Sequence, residues 1–152
     1  MPYSLANQTF IAARPATRAN DASAATCFNR AVYNELAEIL GPEDTILVID
    51  VFMTETGRQI DFMRHAAKRS DTSAVKREAH AIKSSSASLG FIEVGELAKA
   101  IESEALGLNW PALDARLAAL SSAFTEARAF AIHHRLYHPA NAAQKLSGAN
   151  RG

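Results

Sequence analysis

The chain has little of several things, and each scarcity excludes something. Its 152 residues contain one cysteine, Cys27. No internal disulfide can form, which fits a reducing compartment. No apolar run approaches the roughly 20 residues needed to cross a bilayer, so a membrane-spanning role is not expected. Sixteen basic residues balance sixteen acidic ones. A net charge of zero is not that of a dedicated nucleic-acid binder. Glycine and proline are sparse between Phe28 and Leu136, where alanine is abundant. That favours an all-α fold. Acidic residues are missing before Asp21, while Arg14 and Arg18 are present. Such a bias can mark an organelle-targeting peptide, but no clean apolar stripe accompanies the arginines, and the compact apolar core of a secretory signal is also lacking. Residues 1–25 therefore read as a flexible segment, and the expected location is cytoplasmic.

What is present is the pattern of one helical domain, long enough to bury a core. A first helix is expected from about Asn29 to Leu40, with Val32, Leu36, Ile39 and Leu40 as its apolar face and Gly41-Pro42 as its stop. Asp44 is positioned to cap a long second helix to about Lys68, burying Leu47, Val48, Val51, Phe52, Ile60, Met63 and Ala67. Gly57 within it costs about 1 kcal/mol relative to alanine. Ser70-Asp71-Thr72-Ser73 is a turn and cap before the third helix, which Gly90 closes. A fourth helix follows from about Glu93 to Leu106, presenting Val94, Leu97, Ala98, Ile101 and Ala105, and Gly107 ends it. Asn109 or Trp110-Pro111 opens a fifth. Along it Trp110, Leu113, Leu117, Leu120, Phe124, Ala127 and Ala131 form a bundle seam. The spacing predicts an antiparallel up-and-down four-helix bundle over residues 26–136, with an additional N-terminal helix as a lid. Residues 137–152 read as a flexible tail.

The third helix carries the most informative run, His80-Ala81-Ile82-Lys83-Ser84-Ser85-Ser86-Ala87-Ser88-Leu89-Gly90. Val75, Ala79, Ile82, Ser86 and Leu89 recur at helical spacing and define a buried stripe. At about 100° per residue, His80 lies about 140° from the centre of that stripe, so its ring faces solvent. Lys83, Ser84 and Ala87 share its side of the helix, and the last two are too short to obstruct an approaching surface. An exposed imidazole, an adjacent ammonium and a flat floor suggest phosphoryl chemistry carried out on a partner's surface. Ser86, the stripe's polar member, reads as a packing residue. His65 reads as exposed. His134 and His138 have metal-ligand spacing, but histidines at a helix C-terminus are favoured by the dipole alone, and no metal site is expected.

The run from Arg77 to Gly90 resembles the active-site signature of histidine-containing phosphotransfer (HPt) domains: Ala-His, two residues, Lys, a small residue, Ser, more small residues, then an aliphatic residue and Gly. The likeness extends from about Phe28 to Arg135. It includes Leu36 to Asp44, the stretch from Val48 to Ala67, and Val94, Leu97, Ile101 and Glu102, which resemble the helix packed against the histidine helix. Ser84 departs from the glycine often found there. The resemblance implies that His80 accepts a phosphoryl group on Nε2 from a receiver-domain aspartyl phosphate and passes it to another receiver, with no ATP-dependent kinase activity of its own. It implies no intrinsic cofactor, because the receiver supplies Mg²⁺, and a monomer whose partners are receiver domains of response regulators or hybrid kinases. Lys83 is the expected electrostatic helper. Arg77, Ser84, Ser85 and Ala87 are the expected contacts to partner or phosphate, the two serine hydroxyls by donating hydrogen bonds. The competing reading is a non-catalytic helical scaffold in which His80 is incidental. A sensor-kinase fragment is disfavoured, since no glycine-rich nucleotide-binding segment follows.

Overall fold

A computed structural model of the chain describes residues 27–136. The expected flexible segments, 1–25 and 137–152, and His138 with them, lie outside the described residues. Among these residues there are five helices and no strand. They are α1 (Arg30–Leu40), α2 (Pro42–Lys68), α3 (Thr72–Leu89), α4 (Ile92–Glu104) and α5 (Trp110–His133). Helices α2 to α5 pack in a ring, each against the next and α5 back against α2, while α1 lies on α2 and α3. This is the expected four-helix bundle with an extra N-terminal helix.

Local chemistry sets the helix ends. The side chains of Asn29, Asp71 and Asn109 accept hydrogen bonds from the backbone N–H groups of Ala31, Ala74 and Ala112 at 3.0–3.1 Å, which satisfies donors that the first turn leaves unpaired. The start of α2 differs from expectation. Gly41 is the cap, with φ +82°, and Pro42 takes the first helical position, where its missing N–H costs nothing. Asp44 sits inside the first turn with Glu43. The helix begins earlier than expected because Gly41 makes the whole turn by itself.

The buried stripe of α3 is the expected one, Val75, Ala79, Ile82, Ser86 and Leu89, with Ala74 added. The seam of α5 holds from Leu113 to Ala131. Trp110 is a correction: at the first helical position it is 39% exposed, because the helix has not yet reached the core.

Two faces differ from the hydropathy pattern. In α1 no residue is fully buried, and Ile39 is 79% exposed. Tyr33 and Leu36 make the packing side, and Phe28, ahead of the helix, is the buried anchor against Phe91 and Phe130. In α2 Leu47 and Val51 are exposed and Val48 is half-buried, while Thr45, Ile49, Phe52, Met53, Thr56, Ile60 and Met63 face the core. The bundle-facing stripe thus runs through polar positions. Thr45 tolerates burial because its hydroxyl donates to the Gly41 carbonyl at 2.7 Å.

At the top of the bundle Gly90 ends α3 with φ +85°, in the left-handed region. The Gly90 and Phe91 amides both return to the Ser86 carbonyl. The Gly90 carbonyl accepts from the Asn29 amide at 2.7 Å, and a Cβ on Gly90 would lie 2.6 Å from the Asn29 oxygen. Gly90→Ala is therefore expected to lower the unfolding free energy by about 2 kcal/mol through the left-handed conformation alone, read as a fall in the urea midpoint. An unchanged midpoint would show that the turn is not constrained in this way.

Candidate functional site

Helices α3 and α4 are joined by a tight turn at Gly90-Phe91 and pack against each other through small residues. The residues that face each other are Ser86, fully buried, and Gly95, whose added Cβ would lie 3.3 Å from the Ser86 Cβ. Small side chains at this crossing bring one edge of α4 over the outward face of α3.

His80 stands on that face with its side chain 61% exposed. Its Nδ1 lies 2.6 Å from Oε1 of Glu102 on α4. The second oxygen, Oε2, accepts from the Lys83 ammonium at 2.5 Å. One carboxylate thus bridges the imidazole and the lysine, and it is itself mostly covered, with 18% of its side chain exposed. The Lys83 ammonium, and after it the His80 ring, hold the Glu102 carboxyl below its ordinary value of 4.5. Among the described residues no hydrogen-bond partner occupies His80 Nε2.

The sequence placed His80 and Lys83 together correctly, but it assigned no role to Glu102. A signal for it exists. In an antiparallel pair hinged at Gly90-Phe91, residues equally far from the turn face each other. His80 lies ten residues before Gly90 and Glu102 eleven after Phe91.

The other candidates divide between two sides of α3. Ser84 and Ala87 are exposed on the same side as His80. The Ser84 hydroxyl donates to the His80 carbonyl at 3.0 Å. Ser85 is half-buried and turned toward α2, and its hydroxyl donates to the Ala81 carbonyl at 3.0 Å. Arg77 is exposed one turn before His80, with its guanidinium 3.5 Å from Glu78. Glu78 in turn accepts from Gln59 of α2 at 3.2 Å.

Between α2 and α3 runs an apolar groove of about 330 Å³, lined by Val48, Val51, Phe52, Ala81, Ser85 and Leu89 among others. Val51 is 60% exposed there. The groove and the Glu102 bridge flank the histidine ridge on opposite sides.

Away from this face, His65 is exposed as expected. His134 packs against Phe130 in a tilted ring contact, with centroids 4.2 Å apart, and burial, helped by the charge of His133, lowers its pKa. No helix among the described residues is long and apolar enough to cross a membrane.

Comparisons with known proteins fit this geometry. The family model described as Hpt domain matches residues 48–130, more than half of the chain. Among solved structures, the fold is similar to that of histidine-containing phosphotransfer protein B (HptB) from Pseudomonas aeruginosa PAO1. The TM-score is 0.66 at 20% identity, over 72% of this chain and 94% of that one. No curated protein matches at a significant level.

The direction of the Glu102 shift fixes a pH dependence. A carboxyl whose folded value is depressed adds stability above its unfolded value, and that contribution is lost as pH falls through the folded one. In a carbon-detected NMR titration the Glu102 side chain is expected to titrate with a midpoint below 4.5, and Lys83→Ala is expected to move that midpoint upward. A midpoint at the ordinary value would mean that the bridge does not form in solution.

Proposed function

We infer that His80 is the phosphoacceptor of this chain, which belongs to the Hpt domain family and is a histidine phosphotransfer protein of phosphorelays. The observation that carries the assignment is the exposed ring with Nδ1 engaged by Glu102 and Nε2 without a partner. Nε2 attacks the phosphorus of a receiver's aspartyl phosphate. The N–P bond forms as the acyl P–O bond breaks, and the receiver's aspartate leaves as a carboxylate. The phosphoramidate stays high in energy, so a second receiver aspartate can take the group.

Charge spread over the phosphoryl oxygens must be stabilised during transfer. Lys83, one turn from His80, supplies a positive point charge. The receiver brings its Mg²⁺, and no cofactor is required of this chain. Ser84 and Ala87 form a low floor beside the ring. Arg77 is a rim contact suited to an acidic partner surface. The Ser84 and Ser85 hydroxyls retain acceptor and donor capacity that a docked phosphate can recruit from their helix carbonyls.

The groove between α2 and α3 supports docking of the receiver on this face. Exposed Val51 and half-buried Val48 are apolar side chains that a partner would cover. We take the protein to be a cytoplasmic monomer acting between receiver domains of response regulators or hybrid kinases.

Incubation with phosphorylated receivers tests the assignment. Label stable to alkali and lost in acid is expected on His80 and absent in His80→Gln. Label at another residue, or none with a broad panel of receivers, would favour the scaffold reading. Lys83→Ala is expected to slow transfer about tenfold, less than the roughly 100-fold of a buried oxyanion donor, because its side chain is partly exposed. Val51→Glu is expected to weaken receiver binding by about tenfold, measured by titration calorimetry, with the chemical step at saturation retained.

A further inference from the structure

We propose that the stretch from Phe10 to Arg18 docks on the acidic and apolar corner where α1 joins α2, and so competes with the receiver for Val51. The docking stands on its own, and the competition rests on the phosphotransfer reading.

The corner carries charge of one sign. From Ala31 to Gly57 the chain has Glu35, Glu38, Glu43, Asp44, Asp50 and Glu55 and no lysine, arginine or histidine. Glu55 pairs with Arg58, and Asp50 is buried. The other four are exposed, and among the described residues none of them forms an ion pair. Glu43 and Asp44 suit the first turn of α2, where the helix dipole favours negative charge. That account fails for Glu38. It stands in the last turn of α1, the end that favours cations, and no basic residue accompanies it there.

Apolar side chains share the same rows. Glu35, Glu38 and Ile39 recur at three- and four-residue steps on the outward side of α1, and Glu43, Leu47 and Val51 recur at four-residue steps on α2. The two rows end on either side of Gly41. Ile39 is 79% exposed and Val51 60%. Carboxylates interleaved with aliphatic side chains fit a segment of the opposite composition, with cations beside large apolar residues.

The chain carries such a segment. Before Asp21 it has Arg14 and Arg18, no acidic residue, and Phe10 and Ile11 close by. The segment enters the described domain at Cys27, beside the start of α1. The 11 residues of α1 make about 16 Å of helix. The nine residues from Arg18 to Cys27 span up to about 30 Å, so both arginines can reach Glu35 and Glu38. Phe10 and Ile11, further from Cys27, reach on to Leu47 and Val51. Tethering sets an effective concentration of the order of millimolar, so weak contacts suffice. Other occupants fit less well. A second copy would bring its own carboxylates against these. An acidic receiver surface suits Arg77 and is repelled by Glu35 and Glu38. Val51 lines the groove between α2 and α3, so a segment seated on it withholds it from a receiver.

The test uses the full chain. A spin label on Ala12→Cys, in the Cys27→Ser background, is expected to broaden the amide signals of Ile39, Leu47 and Val51 at low protein concentration. Arg14→Glu with Arg18→Glu is expected to remove the broadening and to tighten receiver binding about three- to tenfold, the worth of two exposed ion pairs, read by titration calorimetry. Adding Glu35→Arg and Glu38→Arg restores both readings toward wild type. The transfer rate at saturation stays unchanged in every variant. No broadening from the label overturns the proposal. Broadening that appears only as concentration rises also overturns it and assigns the corner to a second copy. Receiver binding that weakens or holds in the arginine variant overturns it too, since the segment then helps the receiver or ignores it. A wild-type chain that takes no phosphate from any receiver overturns the phosphoacceptor reading and the competition with it, while the label separately decides the docking.

Discussion

The distance between two helix backbones governs this molecule. A carboxylate on α4 reaches an imidazole on the outward face of α3 only if the helices nearly touch, and side chains at the crossing decide that. Ser86 and Gly95 leave room for little more than backbone. Larger residues there would push α4 outward and draw Glu102 off the ring. The Ser86 hydroxyl is buried without a hydrogen-bond partner, which costs about 1–3 kcal/mol. The position is therefore set by volume rather than by polarity. The turn at Gly90-Phe91 fixes the register of the same pair, so that close approach and correct alignment reach His80 together.

Much of this was legible in the sequence. The α3 stripe was readable because its apolar residues are regular and its ends are marked by Asp71 and Gly90, chemistry that acts locally. The α5 seam was readable for the same reason. Placing His80 and Lys83 outward required only the helical angle. Glu102 was visible as part of a packed helix but not as a partner, because a contact between residues far apart in the chain depends on the interhelical distance. That distance is a tertiary property, set here by Ser86 and Gly95.

The apolar pattern misled where a helix has two uses for hydrophobic residues. In α2, Leu47 and Val51 looked like core because they are aliphatic and periodic, yet Thr45 and Thr56 occupy the inward positions. Threonine can take a buried place when its hydroxyl is satisfied by the helix itself, as at Thr45. Hydropathy then ranks an inward threonine below an outward valine. The α1 face misled in a related way: its anchor, Phe28, precedes the helix, and Ile39 points away. In both helices the surplus of outward aliphatic side chains lies at the end of the bundle where α1 joins α2.

The bond from the Asn29 amide to the Gly90 carbonyl ties the entry of the first described helix to the exit of the histidine helix. Phe28, seated on Phe91 and Phe130, reinforces the knot. A mechanical load on the N-terminal side would thus be delivered to the α3–α4 corner before it could peel α1 from α2. Any domain tethered ahead of Cys27 would pull on the same corner that sets the alignment of His80 with Glu102.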